Sequence, residues 1–425
     1  MKDSGIEWIG TIPDSWQLDR LQWHLDEIKE SNNPVKTQQV LSLTNKLGVI
    51  PYEEKGEQGN KSKENIDEYK LAYPDTIVAN SMNILIGSVG KCNYFGCVSP
   101  VYYVFKPKNG ENIDFLNYVF QLTQFQKELR KYANGILEIR LRVSSNDILK
   151  RQIAFPSGKE QQKIVSFLNE KMAKIDKLIE IENKQIEKLQ EYKQAVITEA
   201  VTKGLDKSAP MKDSGVEWIG EINTNYIIHP LKFLLREPMM YGANESGDKT
   251  RNYYRFIRIT DIDSDGKLKH TEENQYLNKK VGAPYELENG DVLFARSGGT
   301  VGKSFIYKDD YGLSAFAGYL IKASCDRSKL LPEYLYYYTQ SSIYDLWKKS
   351  VFIQATIQNI GANKYSMLPI ITASIAEQKC IIAYMENKFC KIDSLLKIKQ
   401  KKIDMLNEYK KSLIYEYVTG KKEVV

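Results

Sequence analysis

The chain has 425 residues, of which 42% are hydrophobic and 27% are charged, as in an ordinary globular protein. This composition excludes a mainly disordered chain, and the 26 glycines and 13 prolines are too few for a collagen-like or low-complexity one. The formal net charge of +6 permits a nucleic-acid partner but does not require one.

The sequence predicts neither a membrane contact nor a metal site. No stretch approaches the ~18 consecutive apolar residues of a membrane span, and residues 1–10 carry acidic side chains instead of a signal-peptide core. We therefore expect a cytoplasmic protein. The chain has five cysteines without a Cys-Xaa-Xaa-Cys pair and three histidines, so we expect reduced thiols and no metal.

An internal repeat dominates the chain. Residues 1–10, MKDSGIEWIG, return as residues 211–220, MKDSGVEWIG. A second repeated segment covers residues 160–203 and 377–420, where Lys-Ile-Asp and later Glu-Tyr-Lys occur in both copies. We infer two tandem halves, each with a short box, a variable segment and a long helix.

The variable segments, 11–157 and 221–372, have a mixed pattern of strands and helices. In the first, apolar and β-branched runs predict strands at 39–43, 76–79 and 101–105, followed by a helix over 113–131. In the second, similar runs predict strands at 254–259 and 291–295 and a helix over 334–348. The two segments are therefore expected to share one fold with diverged surfaces.

Both long segments are predicted to be helices with a single apolar stripe. Apolar residues recur at spacings of three and four, and two polar residues interrupt each stripe, as in a coiled-coil seam. The seam residues are Leu168, Met172, Ile175, Ile179, Ile186, Leu189, Val196 and Ala200 in the first helix, and Met385, Phe389, Ile392, Leu396, Ile403, Leu406, Leu413 and Tyr417 in the second. A helix of this kind needs a partner, and the other copy is the obvious candidate.

A pseudo-twofold relation between the halves would make the two helices antiparallel. Glu182 and Lys399, which interrupt the two seams, would then meet near the middle. One hypothesis is that this pair fixes the register, as polar seam residues can. The alternative is that both are solvated surface charges, because exposed ion pairs contribute little.

A glycine-rich turn occurs in both halves, as Gly87-Ser-Val-Gly-Lys91 and Gly299-Thr-Val-Gly-Lys303. A P-loop is disfavoured, because Ser297 stands where that motif needs glycine and a strand-like run follows Lys303. Two interpretations remain open: a turn that presents a lysine or backbone amides to a DNA phosphate, and a purely structural turn.

No catalytic constellation is evident. The Asn/Asp-Pro-Pro-aromatic tetrapeptide of amino-methylating enzymes and the metalloprotease, hydrolase and EF-hand patterns do not occur. Carboxylate pairs such as Glu53-Glu54 and Asp309-Asp310 have the surroundings of solvated loops. We therefore expect no catalytic residue and no bound cofactor in this chain.

Polar and basic residues near predicted strand ends are the better functional candidates. Arg, Asn and Gln can form paired hydrogen bonds with base edges, and Lys and Ser commonly contact phosphates. The candidate DNA-binding residues are Thr44, Asn45, Lys46, Asn80, Ser81, Asn83, Lys91, Arg140 and Arg142 in the first half, and Arg258, Thr260, Arg296, Ser297, Lys303, Gln354, Thr356 and Gln358 in the second. The candidate helix-pairing residues are Ile175, Ile179, Glu182, Ile186, Leu189, Ile392, Leu396, Lys399, Ile403 and Leu406.

These motifs resemble the specificity subunits of type I restriction–modification systems. The resemblance lies in the Ser-Gly-Xaa-Glu-Trp-Ile-Gly box, in Ile12-Pro13-Asp14-Ser15-Trp16, in the Glu-Gln helix starts at 160 and 377, and in the Lys-Ile-Asp and Glu-Tyr-Lys runs. It covers the whole chain, although the second half has Ile222-Asn-Thr-Asn-Tyr226 in place of the first half's entry.

The resemblance implies an α+β fold with an internal pseudo-twofold repeat. Two mixed α/β target-recognition domains would be separated by two long antiparallel helices that form a coiled-coil spacer. Residues 1–157 would be recognition domain 1 and 158–204 spacer helix 1. Residues 205–372 would be recognition domain 2, and 373–425 spacer helix 2 with the C-terminal tail.

The resemblance also implies a function and partners. Each recognition domain would bind one half of a bipartite site in double-stranded DNA, and the helices would set the gap between the half-sites. Two methylation subunits would dock on the chain and bring S-adenosylmethionine for adenine methylation, and restriction subunits would add translocation and cleavage. Two alternatives stay open: a modification enzyme whose catalytic part lies elsewhere, and a helical scaffold that joins proteins without reading DNA.

Overall fold

The protein divides into two compact units, unit 1 with Met1–Glu182 and Gln400–Val425, and unit 2 with Asn183–Lys399. Each unit holds one variable segment and a part of both long helices. The computed structural model describes residues 1–44, 48–55, 65–108, 110–135, 141–263, 266–269, 273–353 and 359–424.

Unit 1 is built around a four-stranded antiparallel sheet of order β4-β11-β8-β9. Two short helices pack on it, and Phe115, Phe120 and Phe125 share a core with Ile77 and Phe105 of the sheet. The strands of this unit are β1 (Lys2–Asp3), β2 (Thr11–Ile12), β3 (Gln17–Arg20), β4 (Leu25–Ile28), β5 (Leu41–Thr44), β6 (Gly48–Pro51), β7 (Lys70–Ala72), β8 (Thr76–Asn80), β9 (Val89–Cys92), β10 (Gly96–Val98), β11 (Tyr102–Pro107) and β12 (Gln152–Phe155), and its helices are α1 (Ile113–Gln121), α2 (Thr123–Arg130), α3 (Ser145–Leu149) and the first part of α4 (Gly158–Lys203).

Unit 2 repeats this plan. Its four-stranded antiparallel sheet has the order β16-β22-β19-β20, and a three-stranded sheet, β18-β17-β21, lies beside it. Its strands are β13 (Met211–Asp213), β14 (Glu221–Asn223), β15 (Ile227–Pro230), β16 (Met240–Tyr241), β17 (Tyr254–Ile257), β18 (Gln275–Leu277), β19 (Val292–Ala295), β20 (Ser304–Ile306), β21 (Ser314–Phe316), β22 (Leu320–Ala323) and β23 (Pro369–Thr372), and its helices are α5 (Lys279–Gly282), α6 (Pro332–Tyr338), α7 (Ser342–Ile353), α8 (Ala362–Ser366) and the first part of α9 (Ile375–Val418).

The predicted strands at 76–79, 101–105 and 291–295 are confirmed as β8, β11 and β19. The strand predicted at 39–43 begins two residues later, as β5. The strand predicted at 254–259 ends at Ile257, because a 3₁₀ turn over Ile259–Asp261 follows.

The predicted single helices over 113–131 and 334–348 are wrong, since each is two helices with a break. Leu122 has an extended backbone, with ψ of 123°, and its side chain is buried in the core. In unit 2 the break is made by Ser341, whose hydroxyl accepts a hydrogen bond from the amide of Tyr344 at 3.3 Å. Serine at this position starts a new helix instead of continuing the old one.

The two long helices are confirmed, as α4 and α9, with ends within two residues of those predicted. Their seams are apolar and buried in both units. In unit 1, Leu168, Met172 and Ile175 of α4 share a core with Leu413 of α9. In unit 2, Val196 and Ala200 of α4 share a core with Met385, Phe389 and Ile392 of α9. In the described part of the chain, no helix is long and apolar enough to cross a membrane.

Two equivalent ion pairs join the helices, one in each unit, and with the Glu182–Lys402 and Gln185–Lys399 contacts they show that the helices are antiparallel in each unit. In unit 1, Lys410 Nζ lies 2.5 Å from Asp176 Oδ1. In unit 2, Lys193 Nζ lies 2.7 Å from Asp393 Oδ1. The aspartates belong to the Lys-Ile-Asp runs and the lysines to the Glu-Tyr-Lys runs. The two repeated motifs are therefore the two halves of one cross-helix contact, made twice.

The central seam residues also have polar partners. Glu182 is buried and pairs with Lys402 at 2.6 Å in unit 1. Lys399 donates to the side-chain oxygen of Gln185 in unit 2. The expected Glu182–Lys399 pair joins residues of different units and stays a prediction.

The Glu-Gln pair at the start of each long helix fixes the helix to its unit. Glu160 accepts a hydrogen bond from the indole of Trp16 at 2.9 Å, and Glu377 accepts one from the hydroxyl of Tyr226 at 2.5 Å. Tyr226 thus takes the place of Trp16 in the altered second entry. Both rings are buried, so the substitution preserves the packing and the hydrogen bond.

The glutamine of each pair is buried and ties the helix start to the backbone before a domain helix. Gln161 accepts from the amide of Asn112 at 3.1 Å, next to α1. Gln378 accepts from the amide of Leu331 at 2.9 Å, next to α6. The side-chain oxygen and nitrogen of each buried glutamine both make hydrogen bonds, and few orientations of the side chain allow this. The glutamine therefore holds each long helix to its sheet.

In unit 1 a histidine extends this attachment. His24 stacks on Phe155 with ring centroids 3.5 Å apart, and its nitrogens lie 2.9 Å from Glu111 and 3.2 Å from Asp19. Glu111 also accepts from Gln161 at 2.8 Å. Burial disfavours protonation of the imidazole, but the two carboxylates outweigh it and raise the pKa of His24.

The cross-helix ion pairs should contribute measurably to stability. We expect Lys410→Glu to lower the free energy of unfolding by roughly 1 kcal/mol, because it places two carboxylates together, and Asp176→Lys combined with it to recover most of the loss. Urea denaturation of the four variants in the double-mutant cycle measures the coupling.

The same cycle on Lys193 and Asp393 is the matched test in unit 2, and Lys401→Glu, at an exposed position of α9, is the control. Equal destabilisation by Lys401→Glu and Lys410→Glu would contradict a specific pair.

The raised pKa of His24 predicts pH-dependent stability. When the pKa of a histidine is higher in the folded than in the unfolded chain, its protonated form stabilises the fold. The full stabilisation is present below the unfolded pKa of ~6.5 and is lost as the pH rises through the folded-state pKa. His24→Gln should therefore destabilise the chain more at pH 6 than at pH 8.5, measured by urea denaturation. His229→Gln is the control, because His229 faces the neutral hydroxyl of Thr372. If His24→Gln lowers the free energy of unfolding equally at both pH values, the stabilising pairing of a charged His24 with the carboxylates is refuted.

Candidate nucleic-acid interface

In unit 2, one end of the four-stranded sheet collects basic and aromatic side chains. Arg296 and Ser297 follow β19, Lys303 precedes β20, Tyr319 precedes β22, and Tyr241 ends β16. The register places these positions together, because Ala295 pairs with Leu320, Phe294 with Ser304, and Tyr241 with Ile321. We call this group the loop end of unit 2.

The backbone at this end is fixed from both sides. The amide of Arg296 donates to Tyr319 O at 3.0 Å, and Arg296 O accepts from the amide of Ile360 at 2.9 Å. Ser297 also bridges to Asn359. Asn359 and Ile360 thus lie beside the sheet end. The candidates Gln354, Thr356 and Gln358 lie outside the described residues.

Unit 1 has the same arrangement at the same end of its sheet. Asn80 ends β8, Ser81 and Asn83 follow it, and the amide of Val143 donates to Ser81 O at 3.1 Å. Arg142 is therefore carried to this place by the segment after α2, as Ile360 is by the segment after α7. We call Asn80, Ser81, Asn83 and Arg142 the loop end of unit 1. Arg140 lies outside the described residues.

The four residues of this loop end differ in accessibility. Asn80 is buried, and its side-chain oxygen accepts from the amides of Met82 and Asn83. Ser81 is also buried. Asn83 and Arg142 are exposed. The first two shape the turn, and the latter two present their side chains to solvent.

The two glycine-turn lysines occupy different places, so the prediction that both lie in a turn is wrong for Lys91. Lys303 is exposed and precedes β20. Lys91 lies within β9, opposite Ile77, and its ammonium group is 3.2 Å from Asp75 and 3.1 Å from Asp114. Burial of Lys91 disfavours its charge, but the hydrogen bonds to these carboxylates outweigh it and raise the pKa of Lys91.

The physical reason is the position of the turn glycine. Both hairpin connections, 81–88 and 296–303, have eight residues, and each has a glycine of positive φ next to its end, Gly87 and Gly302. Lys303 comes directly after this glycine, whereas Lys91 comes four residues after it. A 3₁₀ turn over Ile84–Ile86 precedes β9 in unit 1, so the glycine that follows it already leads into the strand. In unit 2 the turn extends to Gly302, whose φ is +83°, a conformation that favours glycine. A strand follows Lys303, as the argument against a P-loop expected.

The remaining candidates lie at other places. Thr44 ends β5, and its hydroxyl donates to Gly48 O at 3.2 Å, while Asn45 and Lys46 fall outside the described residues. Arg258 follows β17 and donates to Asp261 Oδ1 at 2.8 Å, so its guanidinium is held within the unit. Thr260 is exposed in the 3₁₀ turn that follows.

Two aromatic residues of the loop end of unit 2 were not singled out from the sequence. Tyr319 has 63% of its surface exposed and Tyr241 has 41%. The ring of Tyr241 lies under the guanidinium of Arg296, with its centroid 5.1 Å from Cζ. Among 28 tyrosines, only the strand register identifies these two.

The described residues form no evident metal-binding site. Among them, no group of three or more His, Cys, Asp or Glu side chains could hold a metal ion. The arrangement is suited to contacts with phosphates and base edges, because arginine, lysine and tyrosine stand on a rigid sheet end.

Comparisons with known proteins agree with this arrangement. Residues 23–191 match the family model of the type I restriction modification DNA specificity domain. The StySPI specificity subunit of Salmonella potsdam is 21% identical over 311 residues, covering 72% of this chain and 65% of that subunit. The EcoBI specificity subunit of Escherichia coli is 23% identical over 293 residues, covering 65% of this chain and 60% of that subunit.

Both matches span less than two thirds of the relatives' own length. A chain from a solved structure, described as the basis of complex assembly and conformational transition of the type I R-M system, aligns with a TM-score of 0.69. It is 12% identical and the alignment covers 96% of this chain and 98% of that one, so the fold is shared. Residues 23–191 therefore match a type I restriction modification DNA specificity domain, and the chain is similar in sequence to the specificity subunits of type I restriction enzymes.

Proposed function

We propose that this chain is the non-catalytic DNA-recognition subunit of a cytoplasmic type I restriction–modification complex. Each unit reads one half of a bipartite site in double-stranded DNA through its loop end. The observation that carries the proposal is a shared platform with different side chains: Ser81 and Arg296 occupy matching backbone positions, each fixed by the returning segment. Two copies of one scaffold therefore present two different chemistries.

The charges of the loop ends suit a polyanion. Arg142 and Lys303 are exposed, and among the described residues neither has a carboxylate within 4 Å of its cationic group. Contacts of such side chains with phosphates release counterions, so binding should weaken steeply with salt. Base-edge contacts then supply the sequence preference.

The methylation chemistry belongs to partner subunits in this proposal. Two methylation subunits supply S-adenosylmethionine and methylate adenine, and restriction subunits add cleavage where the system has them. The long helices offer a surface for partners, because apolar side chains on their outer faces are exposed. Ile181 and Met405 in unit 1 are 41% and 63% exposed, and Ile398 in unit 2 is 63% exposed.

Sequencing of methylated adenines in host DNA tests the function. The host expresses the cognate methylation subunit with or without this chain. A split motif that is modified only with the chain present establishes it as the specificity subunit and gives both half-sites. No new motif beside an active methylation subunit would overturn the proposal in favour of a protein scaffold.

The long helices predict the length of the gap between the half-sites. Deleting seven matched residues from both α4 and α9, about two turns, shortens each by about 10 Å and keeps the apolar stripes facing each other. We expect the gap to shorten by roughly three base pairs, since bases rise ~3.4 Å along each strand, with both half-sites unchanged.

The same methylation mapping measures this gap. The control deletes seven residues from α4 alone, which removes the match between the two seams and should abolish methylation. Altered half-site sequences in the double deletion would count against the helices as a ruler.

A further inference from the structure

We propose that Arg296 reads a guanine in the half-site bound by unit 2, and that Tyr241 is the positioning residue that holds its guanidinium for this contact. The inference rests on the proposed function and adds the identity of one base and of the residues that select it. Arginine is suited to guanine because its fork can donate two parallel hydrogen bonds to O6 and N7 in the major groove.

Arg296 differs from the other arginines of unit 2 that have defined contacts. Arg258 is bound to Asp261, Arg236 to Glu288, and the buried Arg255 donates to the backbone oxygen of Lys269. Within the described ranges, no carboxylate lies within 4 Å of the guanidinium of Arg296. No described carboxylate therefore competes with a ligand for its donors.

The guanidinium is nevertheless held in place. Its Cζ lies over the ring of Tyr241, 5.1 Å from the centroid, and this cation–π contact restrains the side chain. The hydroxyl of Tyr241 accepts from the amide of Ala362 at 2.9 Å, so the ring is fixed to the same segment that pins the backbone of Arg296. A side chain that is already ordered loses less entropy when it binds.

The matching position in unit 1 explains why this contact belongs to one half-site only. Ser81 has the same backbone environment as Arg296, but its side chain is buried. A serine at that depth cannot reach a base edge with a two-donor fork. Unit 1 must use other side chains, so the two half-sites differ in sequence.

The test starts from duplexes that the full-length chain selects from a randomised pool. We expect the half-site that responds to unit 2 substitutions to contain a guanine. Replacing that guanine by 7-deazaguanine removes the N7 acceptor but keeps base pairing, and should weaken binding of the wild-type chain roughly tenfold or more. Arg296→Ala, which has no donor to reach the base, should already have lost this preference and should be insensitive to the replacement, while it still binds random DNA.

Variants of Tyr241 separate positioning from folding. Tyr241→Phe keeps the ring and should preserve most of the guanine preference, whereas Tyr241→Leu should reduce it without changing binding to random DNA. Arg236→Gln is the matched arginine control, because Arg236 lies at the other end of the sheet, beside Ser324. Thermal unfolding of each variant confirms that it is folded.

The outcomes distinguish this inference from the proposed function. A unit 2 half-site without guanine, or an Arg296→Ala chain that still discriminates against 7-deazaguanine, overturns the assignment and leaves the proposed function standing. Failure of the wild-type chain to select any sequence, with or without its methylation subunit, overturns the proposed function itself.

Discussion

The antiparallel contact between α4 and α9 is the interaction on which the rest of the structure depends. Each unit completes its core with helix segments from both copies of the repeat, as Ile175 with Leu413 in unit 1 and Val196 with Phe389 in unit 2 show. A helix of this length with one apolar stripe is not stable alone in water. Neither repeat can therefore complete a unit without the other.

The register of this contact follows from two motifs of three residues. The Lys-Ile-Asp run of one helix supplies the acid and the Glu-Tyr-Lys run of the other supplies the base, in both units. The apolar seam alone would tolerate a slip by a heptad, because neighbouring positions are similar in size. A slip would separate both ion pairs at once and leave Glu182 buried without Lys402, which is costly for a buried carboxylate.

The repeat, the long helices and their seams could be predicted from the sequence because periodicity over more than forty residues is a strong signal. The helix breaks at Leu122 and Ser341 could not be predicted, since an apolar residue and a serine both occur inside ordinary helices. Tyr226 in place of Trp16 keeps its role because an indole N–H and a phenol hydroxyl can each donate to the equivalent glutamate, Glu160 in unit 1 and Glu377 in unit 2. Only the three-dimensional contact shows that equivalence.

For the candidate site, too, the sequence pattern predicts positions, and the three-dimensional contacts decide what the side chains can do. Strand-end positions could be found from alternation and turn residues, and the structure brings Asn80 with Arg142, and Arg296 with Lys303, to matching loop ends. Whether a cation is available could not be predicted. Lys91 pairs with two carboxylates and Arg258 with one. The partners of Lys91 lie before β8 and in α1, and the partner of Arg258 depends on how the turn after β17 folds.

A base-contacting residue is distinguished from a structural one less by its residue type than by whether its side chain already has partners within the protein. Arg258 and Arg296 both follow a buried strand in the same unit, and the sequence gives no reason to prefer either. The guanidinium of Arg258 donates hydrogen bonds to Asp261 and to the backbone oxygen of Glu273. The guanidinium of Arg296 lies over the ring of Tyr241, and no carboxylate of the described residues lies within 4 Å of it. A restrained guanidinium without a carboxylate partner is suited to bidentate recognition of a base.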